Sequence, residues 1–341
     1  MATISRIPDP RRPRPFRRGG ALLAVLWLSA ALAAIAFSLA TTVRGEAERT
    51  STAVDGARSY YLATGGVRRT TLHMIANWLR PDLPPQFKPT TRTVDILEFP
   101  AGEVRVEMIP ETSKLNINQV PPEMLFRLLI NLGAGPERAQ EVTAAILDWR
   151  SPGTGSEMGP FDGFYATRNP SFRSRHASLE EIEELLLVKG MTPDLYYGSW
   201  QRVTDGGEGA RLVRVGGLAD CVSVFGAVDR YDVNTAQPAV LGALGVPPDM
   251  IAALIARRRT MPFANDGEMN QFLQGAGAAA SRLRVGGNSI WTLRATARLR
   301  LSNGQLSDMR RTVAGLVKFM PPGYDYPYHI LRWYDTAWGQ N

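Results

Sequence analysis

The stretch Arg17–Val43, RRGGALLAVLWLSAALAAIAFSLATTV, decides how the rest of the chain is read, because from Gly19 to Val43 it carries no charge at all. At about 1.5 Å per residue, a helix of that length crosses a hydrocarbon core of about 30 Å. Ahead of it, Arg6, Arg11, Arg12, Arg14, Arg17 and Arg18 stand against a single acid, Asp9. Basic residues before an apolar run are the positive-inside pattern, so membrane topology accounts for the net charge of +7 before any nucleic acid is needed. A cleaved secretory signal fits poorly, since its apolar region spans only about 7–15 residues before a small-x-small site. A generic signal anchor is the other bland reading.

Beyond the apolar run, Val54, Ala57, Tyr61, Leu72, Ile75 and Leu79 recur at helical spacing, which predicts an amphipathic continuation of the same helix. Gly65, Gly66 and Arg68 interrupt that stripe and predict a kink or break there, with the helix ending near Leu79, before Pro81. The remainder of the 341 residues is long enough for a sizeable core and ordinary in composition, which argues against extended disorder. The lone Cys221 has no intramolecular disulfide partner.

Thr93–Phe99 and Glu103–Ile109 read as two strands around a Pro100-Ala101-Gly102 turn. Helical periodicity follows in Pro122–Leu147 and Leu179–Val188, and strand-like sequence returns at Leu212–Val215 and Cys221–Phe225. The chain also repeats itself weakly. Asn116-Ile117-Asn118 precedes Leu125, Leu128, Ala145-Ile146 and Arg150, as Asp232-Val233-Asn234 precedes Leu241, Leu244, Leu254-Ile255 and Arg259. Pro160-Phe161 and Pro262-Phe263 follow the two copies. Near the end, Trp291, Leu293, Ala295, Ala297, Leu299 and Leu301 alternate with polar residues, the period of a strand buried on one face, and Ser302-Asn303-Gly304-Gln305 supplies a turn into a return strand. The aromatic tail of Tyr324, Tyr326, Tyr328, Trp333, Tyr334 and Trp338 either packs on the domain or forms a sticky surface.

A basic leader, a glycine, an apolar half-helix and an amphipathic half-helix resemble the type IV pilin class. Within it, RRGGALLAVLW, SKLNINQVPPEMLFRLL, AAILDWR, SLEEIEELLLVKGM and YDVNTAQPAVLGAL together resemble the K-type minor pseudopilins of type II secretion, from Arg18 to about residue 275. The resemblance implies an α+β fold: a long N-terminal transmembrane pilin-like helix and an antiparallel sheet with a large, mostly helical inserted domain. It divides the chain into a leader (1–19), the N-terminal helix (20–80, transmembrane about 20–43), sheet segments (81–117 and 206–230), an inserted domain (118–205), a second helical repeat (231–285) and a C-terminal hairpin and tail (286–341). It implies cleavage by prepilin peptidase between Gly19 and Gly20, with a cut after Gly20 the alternative. The fifth mature position, a glutamate in most pilins, is Ala24 here, as suits a subunit that needs none above it. The implied partners are the I-type and J-type minor pseudopilins. The implied location is the inner membrane, single-pass, with the C-terminal domain in the periplasm.

The resemblance also implies calcium in the loop after the DWR motif, where hard carboxylate oxygens suit that cation. Ser151-Pro152-Gly153 stand where the family carries aspartates, leaving Asp148, Glu157 and Asp162 as candidate ligands. Asp148 has a second reading, as a cap or as a partner of Arg150.

Catalytic machinery is not expected. There is no G-x-S-x-G elbow and no P-loop, and His73, His176 and His329 lie far apart without ligand spacing. Glu180, Glu181, Glu183 and Glu184 read as a solvated helix face. The rival function is a membrane-anchored helix-hairpin-helix DNA-binding protein. Leu132-Gly133-Ala134-Gly135, Val188-Lys189-Gly190-Met191 and Leu244-Gly245-Val246 resemble its glycine hairpins, whose backbone N–H groups hold a phosphate. Only Arg257-Arg258-Arg259 supplies a basic cluster beside them, so the hairpins are read as structural turns and no nucleic-acid partner is expected.

Overall fold

A computed structural model describes residues 20–79, 94–152, 159–205, 208–286, 289–321 and 323–337. In chain order these form α1 (Gly20–Leu79), β1 (Val94–Phe99), β2 (Gly102–Pro110), β3 (Leu115–Asn116), α2 (Pro122–Asn131), α3 (Pro136–Arg150), α4 (Asp162–Ala166), α5 (Pro193–Tyr197), β4 (Gly198–Asp205) and β5 (Glu208–Gly216). Then come α6 (Leu218–Cys221), β6 (Val222–Ser223), β7 (Tyr231–Asp232), α7 (Pro238–Ala243), α8 (Pro248–Thr260), α9 (Asp266–Phe272), β8 (Leu283–Arg284), β9 (Ile290–Arg300), β10 (Leu306–Phe319) and β11 (Tyr328–Tyr334).

The chain divides into two compact units at Arg58. In the first, Leu22, Trp27, Leu32, Ile35, Phe37 and Leu39 are all exposed, as befits side chains meant for lipid. By length and composition α1 is able to cross a membrane. Gly19 and the basic leader lie outside the described residues.

The second unit holds two cores. The first is built on an antiparallel five-stranded sheet of order β1-β2-β9-β10-β11. Strict alternation puts Leu293, Ala295 and Ala297 of β9 inward beside Val104, Val106 and Met108 of β2. The C-terminal part of α1 packs on this face through Leu62, Ala63 and Val67. The expected break is absent: α1 runs through Gly65 and Gly66 as one helix. Gly66 is there for proximity, since a Cβ on it would lie 2.5 Å from Val104 Cγ1, whereas one on Gly65 would meet nothing. The buried stripe is Ser59, Leu62, Ala63, Gly66, Val67, Thr70, Thr71 and Ile75; of the residues predicted to line it, Ile75 does, while Val54, Ala57, Tyr61 and Leu72 face outward. Leu62 and Val67 supply the apolar contact, and Gly66 between them lets the helix lie close to the strands.

The aromatic tail resolves into β11, paired with β10 from Phe319↔Tyr328 to Ala314↔Tyr334. Tyr60 Oη donates to Asp335 Oδ1 at 2.7 Å, and Trp333 Nε1 donates to the same oxygen at 3.0 Å. Tyr324 and Tyr326 remain exposed, and Trp338 lies outside the described residues.

The chain leaves the sheet at Pro110 and re-enters at Ile290, and these two strands are direct neighbours, with Pro110 opposite Trp291. Everything between is an insertion with its own core, running from Leu115 to Leu283. Two of the expected boundaries therefore change. Segment 206–230 does not join the pilin-like sheet: β5 pairs with β4, and β6 pairs in parallel with β3. Nor are 118–205 and 231–285 separate, because residues of both, such as Leu125 and Leu241, share one apolar cluster.

Candidate metal loop and helical repeat

The insertion is a duplication built on matched hydrogen bonds. In the first copy Asn118 grips Leu179, its Nδ2 donating to the carbonyl at 2.9 Å and its Oδ1 accepting from the amide at 2.8 Å. In the second, Asn234 grips Phe263 in the same way, at 2.9 and 2.9 Å. Arg150 donates to the carbonyls of Ile117 and Val120 at 2.5 and 2.7 Å, and Arg258 donates to those of Val233 and Ala236 at 2.9 and 2.8 Å. Burial pushes the pKa of both guanidiniums down, though an arginine stays charged.

Two expected pairings are thus corrected. The counterpart of Arg150 is Arg258, not Arg259, and the counterpart of Phe263 is Leu179, not Phe161. The second reading of Asp148, as a partner of Arg150, is also replaced, because that guanidinium is spent on backbone carbonyls. The copies differ mainly in the link that follows the second helix of each. The first copy runs from Ser151 to Ser178 before reaching Leu179, whereas the second needs only Met261 and Pro262 before Phe263.

That long link is the loop in which calcium is expected. Glu157 lies outside the described residues. Asp148 and Asp162 do converge, but with His176, and the ligand atoms of all three lie within 4.8 Å of one another. His176 Nε2 is 3.0 Å from Asp162 Oδ2 and 3.1 Å from Oδ1, and Nδ1 is 3.2 Å from the Asp148 carbonyl oxygen. Ser174 Oγ donates to Asp162 Oδ1 and lies 2.7 Å from Nε2, and the Gly159 amide donates to Asp162 Oδ2 at 2.8 Å. Burial pushes Asp162 up, but the hydrogen bonds from Ser174, His176 and Gly159 outweigh it and hold the carboxyl at about 2. Asp148 is raised by burial, with His176 pulling the other way, and its Oδ2 is buried with no hydrogen-bond partner. The hydrogen bond to Asp162 raises His176 against the opposing effect of burial.

Calcium takes about six to eight oxygen ligands. Among the described residues the arrangement offers it few free oxygens, because both oxygens of Asp162 are engaged and His176 bonds the backbone carbonyl of Asp148. His176 had no signal in the sequence: it lies 28 residues from Asp148 and 14 from Asp162, and only the fold of the loop brings the three together.

In the acidic run Glu181 and Glu184 prove to be tethers, while Glu180 and Glu183 remain exposed. Ile182–Leu187 is a 3₁₀ turn capped by Glu181. Glu184 accepts from the amides of Glu180 and Glu181 and from Trp149 Nε1, and Glu181 pairs with Arg332 of β11.

The hairpins offer little to a phosphate. The amides of Gly133, Ala134, Gly245 and Val246 close their own helix ends on Ile130, Leu129, Gly242 and Leu241. Pro136, Pro247 and Pro248, which follow, have no N–H. Arg257 is taken by Glu268 and the Met261 carbonyl, and Arg258 by Val233 and Ala236.

Comparison with known proteins agrees with this reading. Residues 108–198 match the family model described as type II secretion system (T2SS), protein K. The chain is 26% identical to type II secretion system protein K of Klebsiella pneumoniae over 258 residues, covering 67% of this chain and 70% of the relative. It is 28% identical to the protein of the same name from Pectobacterium carotovorum subsp. carotovorum over 214 residues, covering 54% and 61%. Its fold is similar to a chain of the crystal structure of the GspK-GspI-GspJ complex from the enterotoxigenic Escherichia coli type 2 secretion system, with a TM-score of 0.58 and 15% identity, over 85% of this chain and 100% of that one.

Proposed function

The chain belongs to the type II secretion system protein K family, and on that premise we propose that it is a minor pseudopilin that joins I-type and J-type minor pseudopilins and helps to initiate a short pseudopilus from its tip. The observation that carries the reading is the insertion between β2 and β9 on a helix-and-sheet scaffold of pilin type. A body of that size, 111–289, is too bulky to repeat along a thin filament, which favours a terminal position. Ala24 favours it too, since it has no carboxylate to meet the N-terminal amine of a subunit packed above.

The helix anchors the protein in the membrane. By the same reading the basic leader stays on the cytoplasmic side until prepilin peptidase cuts between Gly19 and Gly20, and the insertion and sheet lie in the periplasm. The role is structural rather than catalytic. DNA binding is not supported: the hairpin amides named above are used within the chain, and two of the three clustered arginines are bonded to it.

The test is co-purification of tagged full-length chain from membranes that also contain the I-type and J-type subunits. A stable ternary complex is expected. Recovery of the chain with neither subunit, under conditions where those two still bind each other, contradicts the proposal.

A further inference from the structure

We infer that Trp338 and the residues after it form a strap that closes the cleft between the sheet and the insertion and binds the two bodies together. That cleft has a volume of about 610 Å³ and lies on the face of the sheet turned away from α1. Thr292 and Arg294 line it, and in β9 they alternate with Leu293 and Ala295, which point to α1. The insertion supplies the opposite wall through Tyr197 of α5, Trp200 of β4 and Phe225. These three aromatics are 46%, 55% and 40% exposed, so the wall is apolar and uncovered.

The backbone is led to this place. Beyond β11, Arg311 Nη2 donates to the Asp335 carbonyl at 2.9 Å and the Ala337 amide donates to the Thr312 carbonyl at 3.1 Å, so the chain runs on beside β10. Tyr334, Thr336 and Ala337 all line the cleft, and Trp338 is the next residue in the sequence. With Gly339, Gln340 and Asn341 it has a reach of about 14 Å beyond Ala337 when extended. Charge fits as well. Lys114, Arg214, Arg294 and Arg332 of the lining are already held by Glu111, Asp220, Glu107 and Glu181, so the cleft suits an occupant without charged side chains. Those four residues have none. A tryptophan brings a large apolar body with an indole N–H, and the exposed Glu183 of the lining offers that N–H an acceptor. Arg332 of β11, bonded to Glu181 of the insertion, already ties the two walls, and the strap adds apolar contact to that polar tie.

The experiment places the photocrosslinker p-benzoylphenylalanine at Phe225 of the full-length chain, purified in detergent both alone and with the I-type and J-type subunits, and maps the products by mass spectrometry. In both preparations crosslinks within one molecule to residues 338–341 are expected, and Trp338→Ala is expected to reduce them severalfold. The same substitution is expected to lower the thermal midpoint by about 2–4 °C. Trp200 is the second position for the crosslinker should the first variant not fold. Absence of these crosslinks, a yield that Trp338→Ala leaves unchanged, or an unchanged midpoint overturns the inference. So do crosslinks from the cleft to an I-type or J-type subunit in place of residues 338–341, which would make the cleft a partner's seat.

Discussion

Arg150 and Arg258 are the residues on which the duplicated insertion turns. Each spans two carbonyls of the segment just before the first helix of its copy, fixing the entry of the chain into the helical hairpin. Replacing Arg150 with methionine keeps much of the apolar stem but leaves the Ile117 and Val120 carbonyls without their donor. The expected loss is about 1–3 kcal/mol of stability in chemical denaturation, with a similar loss for Arg258→Met. An exposed arginine such as Arg202 has no such duty, and its replacement is expected to change little. At this scale the sequence is only partly legible. The repeat shows through Asn116-Ile117-Asn118 and Asp232-Val233-Asn234, but choosing among Arg257, Arg258 and Arg259 requires knowing which face of α8 is turned inward. Likewise, the resemblance groups Asp148 with Asp162, whereas nothing in the sequence adds His176, which meets the Asp162 carboxylate and the Asp148 backbone carbonyl.

Among the elements, the contact of α1 with the sheet shows most clearly why a small residue is needed. Gly65 and Gly66 are adjacent, helical and chemically identical, yet their surroundings predict opposite outcomes. A methyl group on Gly66 runs into Val104, so Gly66→Ala is expected to cost about 1–3 kcal/mol through overpacking. Gly65→Ala meets nothing and removes a helix-interior glycine, so it is expected to be neutral or to stabilise by up to about 1 kcal/mol. Thermal unfolding of the two variants side by side checks the pair; equal destabilisation would mean that the close approach of helix and strand is not what Gly66 serves. The sequence suggests a break here because glycines and an arginine interrupt the large apolar residues. The helix is in fact held by Leu62, Val67 and Ile75 with small residues between them, whereas Tyr61 and Leu72 lie on the outward face. By contrast β9 is legible from Leu293 to Leu299, because alternation of apolar and polar positions depends only on the pleat, and only Leu301, past the strand's end, is exposed instead.

At the scale of the whole molecule, the lasting lesson of the sequence is an interrupted sheet. Strands at both ends of the part that follows α1 and helices between them already imply an insertion. Its extent was not legible, since β5 and β6 have the composition of sheet strands and only pairing reveals that they belong to the inserted body. Two adjacent strands, β2 and β9, thus carry 111–289 between them, and a filament subunit so equipped is suited to an end rather than a shaft. The most direct test of that claim is site-specific crosslinking within sheared pseudopili, with the amount of this chain measured against the major subunit. The account predicts a few copies, crosslinked to I-type and J-type subunits at one end. A chain crosslinked at many positions along the filament, in amounts similar to the major subunit, would contradict it.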